Sequence, residues 1–204
     1  YSSAASDVYK RQILMKILYA ARLGRFDLLR AVCRLACYIS KWNHECDRRL
    51  YRLVCYINST LHWRQVGYIG DSIDKVCPNV FADADMAGCA ETQRSTSGAH
   101  HAMMGPHIDF PIMGRSARQG CVTSSTPEAE LVSGHHAIKH VLIPAIDLWE
   151  CILPKGFRGR FREDNTAFIR VVQNCRNPTM KHLGRVHGIA IASMREQLCG
   201  PNRL

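Results

Sequence analysis

The 204-residue chain contains ten cysteines, but no two are spaced C-x-x-C, and no second pair stands at zinc-finger spacing. This excludes the zinc-finger classes. The cysteines read instead as reduced thiols. Cys33 and Cys37, one helical turn apart, read as core packing. No apolar run is long enough to cross a bilayer. Residues 13–21 come nearest, but Lys16 interrupts them and no clear signal-peptide cleavage site follows. There is no internal repeat and no low-complexity tract. Acidic residues are scarce, 17 against 27 Lys and Arg, and the formal charge is +10. Such a balance points to a polyanionic partner: nucleic acid first, an anionic membrane surface second. The 47% hydrophobic content suits one or two compact domains with a core.

Residues 1–12 share no pattern with the rest of the chain and read as a non-native or disordered leader. From 13 to 64 the chain reads as helical. Residues 28, 29, 32, 35, 36 and 39 mark one helix face, and Leu50, Leu53, Val54 and Ile57 mark another behind an Asn43 cap. Arg48, Arg49 and Arg52 lie off that stripe. With Arg22, Arg25, Arg30 and Arg34 they form either a solvated face or a phosphate-tracking surface. A domain boundary is expected between 61 and 76. Three strands with short connections come next, over 79–84, 98–104 and 108–113, the last an edge or bent because of Pro111. They read as an antiparallel meander.

The period then changes. Ser124-Ser125-Thr126-Pro127-Glu128-Ala129-Glu130 reads as a helix start, with Thr126 at the N-cap, Pro127 at N1 and Glu128 as a simple N-terminal charge. This helix is expected to reach Leu142 and to bend at Pro144. A basic strand over 157–162, a helix over 166–173, a loop over 174–178 and a last helix over 185–198 complete the reading. His136 and His140 are i and i+4, a zinc-compatible spacing with no supporting third ligand. The pairs His100-His101 and His135-His136 are expected to face solvent in part.

Asp83 and Asp85 are two apart in Val80-Phe81-Ala82-Asp83-Ala84-Asp85-Met86-Ala87-Gly88. On a strand they share a face; past a strand end at Ala82 they would be solvated turn residues. Glu130 lies near a helix start and Asp164 at the end of a later strand. In an α/β layer structure these positions can meet at one sheet edge. Three carboxylates there would suit hard divalent cations. Two such cations about 4 Å apart can activate water and stabilise the leaving oxygen of a phosphodiester.

Residues 81–88, Arg94-Ser95-Thr96-Ser97-Gly98, residues 124–130 and Asp164-Asn165-Thr166-Ala167, in that order and spacing, resemble the ribonuclease H domain of copia-type retrotransposon polyproteins. The resemblance covers about residues 65–198. The helices before it resemble the end of a reverse transcriptase and its connection segment, without the polymerase active site. The resemblance implies an α/β, mixed-sheet RNase H-like fold over 65–204 with an N-terminal helical segment. It implies hydrolysis of the RNA strand of an RNA–DNA hybrid with Mg2+, or Mn2+ in its place. Asp83, Glu130 and Asp164 become the catalytic metal ligands, and Asp85 takes a flanking role. Arg94, Arg115, Arg118 and Asn165 become nucleic-acid contacts. The implied partners are the hybrid and the reverse-transcriptase part of the same polyprotein, with no membrane. The implied location is intracellular, in a cytoplasmic retroelement particle or the nucleus.

The chain departs from that pattern at several points. Met86 stands where the family has tryptophan, and Ala117 lies near the family's lysine, with Arg115 and Arg118 beside it. Gly184, in Lys181-His182-Leu183-Gly184, stands where a fourth aspartate is expected; across a small shift His187 takes that place as a metal ligand. The chain also stops short of the family's last strand and tail. These departures leave a second expectation open, a degenerate module that holds nucleic acid without cutting it. Glu163, beside Asp164, is expected to point to solvent.

Overall fold

The computed structural model describes residues 3–153, 157–175 and 180–200, with side chains from residue 8 onward. The chain divides into two compact units: residues 1–66 with 113–116, and residues 67–112 with 117–204.

The first unit is helical: α1 (Ser3–Leu23), a 3-10 turn at Phe26–Leu28, α2 (Leu29–Ala36) and α3 (His44–Ser59). The first helix takes in most of the segment read as a leader. Leu14, Val32, Leu35, Leu50 and Leu53 form its core, whereas Val54 of the expected stripe is exposed. Asn43 caps α3 as its sequence suggests, Oδ1 accepting from the Cys46 N–H at 3.0 Å. Part of the arginine face is already neutralised: Arg25 bonds Asp27 and Thr60, and Arg48 and Arg49 both pair with Glu45.

The second unit is built on a four-stranded mixed sheet of order β3-β2-β1-β4. Its strands are β1 (Cys77–Asp85), β2 (Thr96–Met104), β3 (Asp109–Arg118) and β4 (Arg160–Arg162). The expected meander forms, and Pro111 lies on the edge strand. β1 runs antiparallel to β2, from Cys77 opposite Met104 to Asp85 opposite Thr96, and parallel to β4. The aspartate pair therefore belongs to the strand and not to a turn. Asp85 lies over Gly88, where any side chain would overlap its carboxylate, and Ala87 takes a positive φ of 53°. This close approach accounts for the glycine at 88.

α4 (Thr126–Ala137) covers one sheet face, where Val80, Ala82, Ala99, Leu131 and Ile138 are buried. Its N-cap is Ser125, one residue earlier than expected: its extended backbone lets Oγ accept from the Glu128 N–H at 3.4 Å. Pro144 has no N–H to give the helix and would crowd the preceding turn. The chain widens into a π-turn over Ile138–Leu142 and continues as α5 (Ile143–Trp149). α6 (Thr166–Asn174), α7 (Leu183–Val186) and α8 (Ile191–Cys199) follow. The expected 174–178 loop lies largely outside the described residues, and the expected last helix is split in two. His101 is buried, against expectation, because Asn79 O and Trp149 satisfy both ring nitrogens at 3.0 and 3.1 Å. All ten cysteines are free thiols. Among the described residues no helix is long and apolar enough to cross a membrane.

Candidate active site

Asp83 stands near the end of β1 and is exposed on the face that α4 leaves open. The parallel register sets Asn79 beside Arg160, Val80 beside Phe161 and Phe81 beside Arg162. Asp83 and Asp164 each lie two residues past the last position paired in this register, and the charges of both bear on Glu130. Glu130 comes from the second turn of α4. Ser133, one turn further and on the same helix face, fixes that turn to the strand: its Oγ lies 2.6 Å from Asp83 O and 3.3 Å from Gly98 O.

These three elements put like charges together. Glu130 is 5% exposed. Burial, then the charges of Asp83 and Asp164, push its carboxyl up to about 7, against a smaller opposing bond from the Ala84 N–H. Glu163 joins the group instead of facing solvent. It too is pushed up to about 7, by burial first and then by Glu130 and Asp164, although the Asn165 N–H donates to its Oε1 at 3.2 Å. Glu130 Oε2 and Glu163 Oε2 are both buried without a hydrogen-bond partner.

No protein-family model matches this chain, and no solved structure matches it.

The donor set is all carboxylate, the chemistry that magnesium or manganese prefers, and two buried oxygens lack the partner such an ion would supply. In that sense Asp83, Glu130, Asp164 and Glu163 fit a divalent cation. Among the described residues, however, no three His, Cys, Asp or Glu side chains already form a set that could hold a metal ion.

The other expected site residues fall elsewhere. His187 is bound to Glu128 and not to the carboxylate group: its Nε2 and that of His182 each lie 2.9 Å from Glu128 Oε1, and the Ser124 N–H donates to Oε2 at 2.8 Å. Glu128 is 2% exposed, so it is no simple surface charge. Burial alone would raise its carboxyl, but the bonds from His182, Ser124 and His187 together hold it below the ordinary glutamate range. Gly184 is exposed in α7 and brings no carboxylate. Asn165 caps α6, its Oδ1 accepting from the Phe168 N–H at 3.0 Å. Arg94 and Arg115 are half-buried and Arg118 is exposed at the end of β3.

Several positioning residues escaped the sequence reading. Gln119 Nε2 donates to Ala129 O at 2.9 Å and to Ser97 Oγ at 3.1 Å, tying the start of α4 to the sheet. Ser95 Oγ accepts from the Ala87 N–H and pairs with Thr123 Oγ1 at 2.7 Å. The Ser95-Thr96-Ser97 segment is thus a buried frame for the site. Its sequence reads as a turn and as part of a motif, whereas Thr96 and Ser97 belong to β2.

Proposed function

We propose that the unit over residues 67–200 is a divalent-metal-dependent ribonuclease that hydrolyses the RNA strand of RNA–DNA hybrids, as part of a copia-type reverse-transcriptase polyprotein. What carries the reading is the coupling of Asp83, Glu130 and Asp164. Acids on a strand and at a strand exit, far apart in sequence, raise the proton affinity of Glu130 on the helix at one end of the sheet. The motif order in the sequence supports the same reading.

In this reading Asp83, Glu130 and Asp164 hold magnesium, and Glu163 supplies the additional carboxylate that position 184 lacks. Bound magnesium would lower the pKa of the attacking water and offset charge on the leaving 3′ oxygen. Glu130, its carboxyl pushed up to about 7, would give up its proton on binding a cation. Asp83 and Asp164, open to solvent, are where a phosphate with its counter-ion enters. RNA is distinguished from DNA through its 2′-hydroxyls. The polyprotein's polymerase portion and the hybrid it makes are the partners, in a cytoplasmic retroelement particle or the nucleus.

A second reading, a nucleic-acid-binding module without turnover, is favoured by the glycine at 184, where a further carboxylate is expected. A labelled hybrid incubated with Mg2+ or Mn2+ and either the chain or its Asp83→Asn variant separates the two. Cleavage by the first alone supports the nuclease. Cleavage by neither supports the binding module, and equal cleavage by both contradicts the assigned site.

A further inference from the structure

β4 lies at an edge of the sheet and leads directly to the carboxylates. The segment Arg158-Gly159-Arg160-Phe161-Arg162 alternates strictly. Its odd positions face inward. A side chain at Gly159 would meet Leu142 and Ile146 at 3.2 Å, and Phe161 stacks on Phe168 with ring centroids 6.0 Å apart. Its even positions, Arg158, Arg160 and Arg162, are all exposed. Arg162 is steadied by Asn79, whose Oδ1 accepts its Nε–H at 3.0 Å. Among the described residues, neither Arg158 nor Arg160 is paired with a carboxylate.

Residues two apart on a strand are separated by about 6.6 Å, close to the spacing of successive phosphates along one nucleic-acid strand. The row borders a groove of about 570 Å³ that also takes in Gln173 and Leu198. On the same sheet face, Phe81 and His100 form a half-buried ring pair beside Arg162. The next even position is Asp164. We infer that Arg158, Arg160 and Arg162 form a phosphate track that runs one nucleic-acid strand along β4 and delivers its next phosphate to Asp83 and Asp164. This deepens the ribonuclease reading and rests on it for the direction of travel. The anchoring itself rests on charge and spacing. Charged residues also guard edge strands against self-pairing, and the test separates that role from a track.

The experiment measures binding of a fluorescent RNA–DNA hybrid to the full chain in EDTA, between 50 and 300 mM KCl, so that no turnover contributes. Each phosphate contact contributes about 0.7–0.9 to the slope of log K against log salt. The double variant R158A/R160A should lower that slope by about 1.6, which is about twentyfold in affinity at 0.15 M salt. R158K/R160K should restore it, and Arg195→Ala, at an exposed position of α8, should leave it unchanged. An unchanged slope in R158A/R160A overturns the inference, and concentration-dependent self-association of that variant would then assign the arginines to edge protection. An equal loss with Arg195→Ala, or equal losses on phosphatidylserine vesicles, overturns it in favour of generic charge attraction. A slope that falls as expected in a chain without cleavage activity contradicts the nuclease and leaves the track standing. Cleavage with an unchanged slope does the reverse.

Discussion

Neutralising Glu130 should stabilise the protein, and only at high pH. Its carboxyl sits at about 7 in the folded chain against 4.5 for an ordinary glutamate, because of burial and the charges of Asp83 and Asp164. The native state therefore holds its proton over a range where the unfolded chain has released it. That stability is fully present below about pH 4.5 and is lost as pH rises through 7. The difference is about 3 kcal/mol at pH 8, from about 1.4 kcal/mol for each pH unit of displacement. Glu130→Gln keeps the shape and an acceptor for the Ala84 N–H but carries no charge. Urea unfolding of both proteins at pH 5 and pH 8 is the assay, with Trp149 as the probe in a Trp42→Phe, Trp63→Phe background. The variant should gain about 3 kcal/mol at pH 8, or about 6–12 °C in Tm, and little at pH 5. Added Mg2+ should stabilise the parent chain at pH 8 and not the variant. A gain that is absent, or the same at both pH values, would mean that Glu130 is not held against neighbouring charge.

Two other groups have opposite pH signatures. His101 accepts the Trp149 indole N–H at Nε2 and donates from Nδ1 to Asn79 O, so it is held neutral, and burial pushes it below the ordinary histidine range. Its contribution is present above about pH 6.5 and is lost as pH falls through the folded value. An NMR titration should give a midpoint below the ordinary one, and Trp149→Phe, which removes the opposing donor, should move it upward; a midpoint at or above 6.5 refutes this. Glu128→Ala leaves His182, His187 and the Ser124 N–H without their shared acceptor. The cost should be about 3 kcal/mol, with amide exchange accelerating first in α7; uniform acceleration across the unit would contradict that assignment.

Local patterns in this chain were readable, and distant pairings were not. The meander strands follow from alternation and turn residues, and Asn43 announces α3 by its own capping chemistry. Ser125 and Thr126 are both good caps, and only the backbone conformation chooses between them. The π-turn arises because Pro144 meets a helix whose buried face continues past it, a conflict that periodicity does not resolve. Glu128 looked like a helix-terminal charge because its two histidine partners lie 54 and 59 residues away. Glu163 looked like a surface residue because the carboxylates that confront it arrive from β1 and α4. Asp83, Glu130 and Asp164 were singled out by motif order, whereas Gln119 and Ser133, which tie α4 to the sheet beside them, have no signature short of the folded contact.

The most direct test of the central claim tracks the ends of the cleaved RNA. A hybrid labelled on its RNA strand, incubated with the chain and Mg2+ or Mn2+, should release fragments ending in 3′-hydroxyl and 5′-phosphate, because water is the nucleophile. Asp83→Asn should be at least about a hundredfold slower, given several kcal/mol of transition-state charge stabilisation at a metal site. EDTA should abolish the reaction, and a DNA duplex should be left intact. No product, equal product from Asp83→Asn, or 2′,3′-cyclic phosphate ends from attack by the RNA's own 2′-hydroxyl would contradict the account.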